Sequence, residues 1–143
     1  MANKQQDDYQ EEFQRMYMQY QMLKQQSTIY VEQLSIIEAR ITEIVSTIEA
    51  VNELQKNNSG KILANIGSQV YLKTDAGKTD NVIIELGAGI YASRQIADAI
   101  IILESRKNEL MNVNNQILLE INKMDMQMKY MEPEMQKFAE KLK

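Results

Sequence analysis

The chain has 143 residues, and its 20 acidic and 16 basic side chains give a formal net charge of −4 at pH 7. It has no cysteine and no histidine, which excludes disulfide bonds and removes the commonest general base and metal ligand at neutral pH. An acidic chain is a poor match for nucleic acid, because phosphate binding needs a basic surface. There is no apolar run of about eighteen residues. The first residues are polar, unlike a secretory signal. We therefore expect a cytoplasmic protein with no membrane partner.

The first part of the chain carries a regular apolar stripe from Tyr9 to Val51. Its members recur at alternating steps of four and three residues, and Ser27 is the only polar one. An average step of 3.5 residues keeps one helix face towards a supercoiling partner. We predict a coiled-coil helix over residues 6–56 that ends at Asn57-Asn58-Ser59-Gly60, a cluster of weak helix formers. The stripe consists of Tyr9, Phe13, Met16, Tyr20, Leu23, Ser27, Tyr30, Leu34, Ile37, Ile41, Ile44, Ile48 and Val51.

The middle of the chain, residues 61–92, is predicted to form two β-hairpins. All five glycines lie between residues 60 and 89, and glycine supplies turn conformations while weakening helices. About thirty residues are too few for an independent core, so we expect this segment to assemble with other subunits. The alternative is that the strands fold back on the chain near Ile101 and Ile102. The predicted assembly residues are Ile62, Ile66, Val70, Leu72, Val82, Ile84, Leu86 and Ile90.

A second stripe with the same spacing predicts another helix over residues 94–142, with Ser93 as its N-cap. The polar stripe residues Lys107 and Asn114 are typical of positions that fix coiled-coil register, although a partner site is an alternative. Pro133 should kink or loosen this helix. The predicted fold is mainly α: a long antiparallel two-helix coiled coil with two β-hairpins at the hinge. The second stripe consists of Ile96, Ile100, Leu103, Lys107, Leu110, Asn114, Ile117, Ile121, Met124, Met128, Met131, Met135, Phe138 and Leu142.

Methionine is concentrated where the outer ends of the two stripes should meet. It adapts to irregular apolar surfaces and is frequent in promiscuous binding sites. Met18, Met22, Met126 and Tyr130 also lie off the stripes, where helix–helix packing does not require them. We predict an apolar binding tip; simple filling of the seam is the alternative. The predicted binding residues are Tyr9, Phe13, Met16, Tyr17, Tyr20, Met124, Met128, Met131, Met135 and Phe138.

Two weak motifs do not point to chemistry. Gly87-Ala88-Gly89 begins like a dinucleotide fingerprint, but the residues that follow read as a strand rather than a phosphate-binding helix. Asp75 and Asp80 flank a loop without the spacing of an EF-hand calcium site. We find no catalytic constellation, and we expect a protein that is not an enzyme and needs no metal or cofactor.

The order helix, four short strands, helix resembles the prefoldin family, and two hairpins rather than one are typical of its α-type subunits. The segments 66–73 (IGSQVYLK) and 80–91 (DNVIIELGAGIY) carry the resemblance. Asn65 departs from it, because proline is expected before the Ile-Gly pair.

The resemblance implies an archaeal, cytoplasmic hexamer of two α-type and four β-type subunits, joined by a shared double β-barrel. Such a complex captures non-native polypeptides at its coil tips without ATP and passes them to a group II chaperonin. The alternative is a structural, adaptor or filament-forming coiled coil with defined partners.

Overall fold

The computed structural model describes residues 2–56, 60–77 and 79–141, with side chains from residue 6 onwards. The predicted fold class is confirmed, since two long helices enclose two small antiparallel hairpins. The predicted helix terminator Asn57-Asn58-Ser59 and the last stripe residue, Leu142, lie outside the described residues. The elements are α1 Ala2–Lys56, β1 Lys61–Gly67, β2 Val70–Asp75, β3 Asn81–Gly87, β4 Ile90–Gln95 and α2 Ile96–Lys141.

The chain divides into two compact units. Residues 1–38 and 112–143 form the terminal unit, and residues 39–111 form the central unit. In the terminal unit, the beginning of α1 lies against the end of α2, because Tyr9 contacts Phe138 and Tyr20 contacts Glu132. These two contacts run in opposite directions along the helices, so the helices are antiparallel there.

The two stripes form the buried seam of the helices. Every stripe position from Tyr9 to Val51 is half-buried or buried, while all other side chains between residues 6 and 50 are exposed. Every stripe position from Ile96 to Phe138 is also half-buried or buried. The buried apolar residues are Ile48, Ile96, Ala99 and Leu103 in the central unit and Met124 in the terminal unit.

The two hairpins are built alike. β1 pairs with β2 and β3 with β4, each antiparallel and each with an irregularity before the turn, at Ile66 and at Leu86. Each two-residue turn has two positive φ angles: 47° and 63° at Ser68 and Gln69, and 50° and 75° at Ala88 and Gly89. Positive φ at both positions defines the type I′ turn, whose twist matches that of the flanking strands.

Each ladder also extends one pair beyond its strands. The Ala76 amide donates to the Gly60 carbonyl at 2.6 Å, and the Ile96 amide donates to the Asp80 carbonyl at 2.9 Å. Both hairpins therefore close at the same relative position. Ile96 is at once the last rung of the second ladder and the first residue of α2.

The start of α2 differs from the sequence prediction. Ser93, the predicted N-cap, lies within β4, which continues to Gln95, and the helix begins at Ile96. The helix then continues through Pro133 to Lys141, so the proline does not end it. Of the two residues named for the alternative to assembly, Ile101 is exposed and so is not covered by the strands, whereas Ile102 is half-buried. Within the described part of the chain, neither helix has a stretch long and apolar enough to span a membrane.

Candidate functional site

An aromatic cluster joins the two helices in the terminal unit. The rings of Tyr9 and Phe138 lie 6.0 Å apart between centroids, at a tilt of 48°. The Lys141 ammonium lies 4.7 Å from the Tyr9 ring centroid and 5.9 Å from that of Phe138, within the range of cation–π attraction. Phe13 and Tyr17 stack along α1 at 6.2 Å. Four of the predicted aromatic residues therefore form two ring pairs, one between the helices and one along α1.

A hydrogen bond joins the same two helices further along. The Tyr20 hydroxyl donates to Glu132 Oε1 at 2.9 Å. This bond to a carboxylate, with smaller contributions from desolvation and from the negative charge of Glu132, raises the pKa of Tyr20. The phenol is therefore held in its neutral, donating form.

Most of the predicted binding residues lie in the seam. Met124 is only 5% exposed and belongs to the core. Tyr17 is exposed and free of the seam. The others are half-buried because each packs towards the facing helix while one side remains open to solvent. These half-buried residues are Tyr9, Phe13, Met16, Tyr20, Met128, Met131, Met135 and Phe138.

Several strongly exposed apolar side chains of the terminal unit lie outside the predicted binding set. Met18, Met22, Met126 and Tyr130, together with Tyr17, are between 49% and 73% exposed. We call these five residues the outer apolar set. Their signal in the sequence was their position off the stripes, because a side chain that does not face the partner helix has to face solvent. The prediction instead gave priority to the residues in the stripes.

Exposed apolar residues continue along the outer sides of both helices in the terminal unit. Ile29 and Ile36 follow Met22 at seven-residue intervals, and Leu119 precedes Met126 by the same interval; all are exposed. Residues seven apart occupy the same side of a helix. The outer apolar set is thus part of a longer apolar surface on each helix.

A cleft of about 390 Å³ lies between the helices of the terminal unit. Met16 and Phe138 contribute apolar surface to it, and charged residues of both signs surround them. These charged residues form the rim of the cleft. Arg15 Nη2 lies 3.8 Å from Glu12 Oε1 there, and both side chains are largely exposed. Such a rim keeps an apolar site hydrated without giving it one sign of charge. The polar lining residues are Glu12, Arg15, Gln19, Glu134, Lys137 and Lys141.

The predicted assembly residues divide by burial. Ile62, Val82 and Ile84 are half-buried, while Ile66, Val70, Leu72, Leu86 and Ile90 are exposed. The opposite faces of the hairpins carry further exposed apolar residues that the prediction missed: Leu63, Tyr71, Ile83 and Tyr91. Both faces of each hairpin therefore offer apolar surface. In the described parts of the chain, no group of three acidic side chains lies together as a metal site.

Two long helices enclosing two β-hairpins, with apolar surface left open at the hairpins and at the helix ends, define a class of coiled-coil assembly subunit. The family model described as "Prefoldin subunit" matches residues 23–141, and the chain belongs to the prefoldin family.

Within that family the chain is an α-type subunit, a type found in archaea. It is similar to prefoldin subunit alpha of Methanoculleus marisnigri, with 36% identity over 60% of this chain and 58% of the relative. It is 26% identical to that of Methanococcus vannielii, over 90% of this chain and 87% of the relative. For Pyrococcus horikoshii the identity is 30%, over 68% of each chain. Among solved structures, filamentous PFD from Methanocaldococcus jannaschii shares the fold, with a TM-score of 0.68 and 16% identity, over 85% of this chain and 98% of that chain.

Proposed function

We propose that this α-type prefoldin subunit belongs to an ATP-independent holdase, which captures non-native polypeptides in the cytoplasm and delivers them to a group II chaperonin. The observation that carries the proposal is the outer apolar set, five large side chains that are about half or more exposed to solvent and lie outside the seam of the helix pair. Clusters of exposed apolar side chains mark interaction sites. Three of the five are methionines, whose flexible thioethers adapt to irregular partners.

The half-buried seam residues of the terminal unit extend this surface. The cleft beside Met16 and Phe138 receives part of a client chain, while its charged rim keeps the site hydrated. Met124, which is buried, serves the seam alone. Each apolar contact is weak, and several coiled coils holding one client together supply the affinity through avidity.

The hairpins supply the assembly. Their exposed apolar residues on both faces, in two separate two-stranded sheets, favour addition of strands from other prefoldin subunits. The proposed complex contains two α-type and four β-type subunits, with the strands closing a double barrel.

The test is suppression of aggregation without nucleotide, with this chain assembled with a β-type subunit and an unrelated, chemically unfolded enzyme as client. Changing Met18, Met22, Met126 and Tyr130 together to serine should remove most of the protection, because it removes four exposed apolar contacts and leaves the seam intact. The matched control changes Val45 and Ile101 to serine, two exposed apolar residues of the central unit. Control and wild type should protect equally. Full protection by the four-residue variant would disprove the proposed binding surface.

A filament-forming role is the second candidate, favoured by the shared fold with a filamentous prefoldin. It predicts long assemblies of this chain alone in negative-stain electron microscopy and no protection of unrelated clients. The aggregation assay and the micrographs separate the two functions.

A further inference from the structure

We propose that the outward side of α1 binds client segments as amphipathic α-helices, whatever the sign of their charge. This inference rests on the proposed function and deepens it. It adds the structural class of client segment that this side of the helix takes. It also identifies Ile29 and Ile36 as binding residues beyond the outer apolar set.

A row of exposed residues with coiled-coil spacing runs along α1 from Met18 to Ile36. Its steps alternate between four and three residues, as in the seam. All six of its side chains are exposed, whereas the seam residues between them are half-buried. The row therefore lies on the outward side of the helix. Four of the six are apolar, and this outer row consists of Met18, Met22, Gln25, Ile29, Glu32 and Ile36.

The spacing of the outer row fits a second helix better than an extended chain. Met22, Ile29 and Ile36 follow one another at intervals of seven residues, about 10.5 Å along α1. A second helix has the same seven-residue repeat, so its apolar residues can pack against all three side chains. In an extended chain the residues on one side repeat about every 6.6 Å. Such a chain would contact one of the three side chains and miss the next.

The backbone of α1 offers an extended client no hydrogen bonds. The outer row lies well inside the helix, where amides and carbonyls are bonded to each other. An extended segment on this surface would bury its own backbone groups without partners, which costs free energy. A helical segment satisfies its own backbone. The outer row rises about 27 Å, and client helices of that length are marginal alone, so the contact with α1 would stabilise them.

The residues that flank the outer row are all uncharged. In a coiled coil with a defined partner, charged residues beside the apolar positions select that partner. The flanks of the outer row carry amides and hydroxyls instead, and they favour neither sign of charge. A surface without such selection fits many client helices rather than one subunit. The flanking residues are Gln19, Gln21, Gln26, Thr28, Gln33 and Ser35.

The test measures peptide binding by this chain assembled with a β-type subunit. Three labelled peptides have the same length and apolar content: a basic amphipathic helix, an acidic amphipathic helix, and a basic peptide with the alternating pattern of a strand. Fluorescence anisotropy at about 0.15 M salt gives the dissociation constants, because distant charges are then largely screened. The two helical peptides should bind about equally. The alternating peptide should bind at least tenfold more weakly.

Two double variants test the residues. Ile29→Ser with Ile36→Ser should weaken both helical peptides at least tenfold, because it removes two apolar contacts. The matched control is Val31→Ser with Val45→Ser, two exposed apolar residues of α1 outside the outer row, and it should bind like the wild type. Gln26→Glu with Gln33→Glu places charge on one flank. This variant should weaken the acidic peptide and strengthen the basic one.

Photochemical crosslinking of the wild-type complex gives a second answer, should a variant fail to fold. A photoreactive group on the apolar side of either helical peptide should attach to this chain within residues 18–36. Attachment elsewhere in this chain overturns the inference.

Three further results would also overturn it: equal or tighter binding of the alternating peptide, equal loss of binding in the serine variants and their control, and no binding of any peptide. If Ile29→Ser with Ile36→Ser instead lowers the mass of the complex, the outer row is covered by another subunit and the inference is wrong. The proposed function stands in each case if the wild-type complex still suppresses aggregation of an unfolded enzyme. A complex that gives no protection removes both.

Discussion

Asn114 interrupts the apolar seam of α2, and its replacement by leucine should stabilise the protein. The side chain is half-buried, and its Oδ1 has no hydrogen-bond partner in the described part of the chain. A buried acceptor without a partner costs about 1–3 kcal/mol. Leucine removes this cost and adds apolar burial, about 1 kcal/mol at a half-buried position.

We expect Asn114→Leu to raise the free energy of unfolding by about 2 kcal/mol. For a chain of this length the melting temperature should rise by about 6 °C. Urea unfolding followed by far-ultraviolet circular dichroism at fixed protein concentration measures the change. Asn115→Leu is the control, because Asn115 is the next residue and is exposed; its effect should stay within about 0.5 kcal/mol.

An unchanged or lowered stability of Asn114→Leu, with Asn115→Leu neutral, would refute this reasoning. It would mean that the Asn114 carbonyl oxygen finds a partner in solution, and that leucine does not fit the seam. A stabilised variant with altered pairing of the helices would instead identify Asn114 as a residue that sets the register at a cost in stability.

Three further changes test local features of the chain. Pro133→Ala restores a backbone amide that can donate a hydrogen bond to the Lys129 carbonyl within α2. The substitution should stabilise the helix by up to about 3 kcal/mol. Unchanged hydrogen exchange of the backbone around residue 129 would contradict this prediction. Gln69 has a positive φ of 63° in a type I′ turn, and Gln69→Gly removes the strain of that backbone conformation. The free energy of unfolding should rise by about 0.5–1 kcal/mol, measured as a higher urea midpoint. A lower midpoint would exclude this turn type. Tyr20→Phe should remove the hydrogen bond to Glu132. Because the pKa of Tyr20 is raised in the fold, the stability from this bond is present below the ordinary tyrosine pKa of about 10 and is lost as pH rises through the raised value. A tyrosinate absorbance titration of the variant should therefore lose the contribution of Tyr20, whose pKa is raised above the ordinary tyrosine value.

The seam of the fold was predictable residue by residue, whereas the exposed surface was not. A step of 3.5 residues has one physical cause, a helix facing a partner helix, so every described stripe position is buried or half-buried. The identity of a residue as methionine does not by itself indicate whether its side chain is buried. Met124 is 5% exposed and Met126 is 59% exposed, although they differ only in position relative to the stripe. The binding prediction weighted residue type within the stripe and therefore included the buried methionine.

The junction of β4 and α2 was misplaced for a different reason. Serine is a good N-cap but also occurs in strands, and the short run at residues 90–92 gave no sign that pairing continues to Gln95. The strand extends because Asn81, Val82 and Ile83 of β3 provide partners for it. Such pairing is a property of two segments, and the local sequence of one segment does not contain it. The apolar residues on the second face of each hairpin were missed for a related reason. A strand with two apolar faces shows no alternation of apolar and polar residues, so the sequence does not indicate which face each residue occupies.

The two hydrogen bonds between the second hairpin and α2 have a mechanical consequence. The hairpin is held to the helix at its open end, by Asp80 and Ile96, and near its turn, by Glu85 and Arg106. The two contacts are separated by about 15 Å along α2, so together with the chain link at Ile96 they restrict rotation of the hairpin relative to the helix. A twist applied to the first turns of α2 is therefore passed to β4 as a rotation of the whole hairpin. Loss of the Arg106 hydrogen bond would leave the hairpin attached only at its open end, so that it could rotate relative to α2.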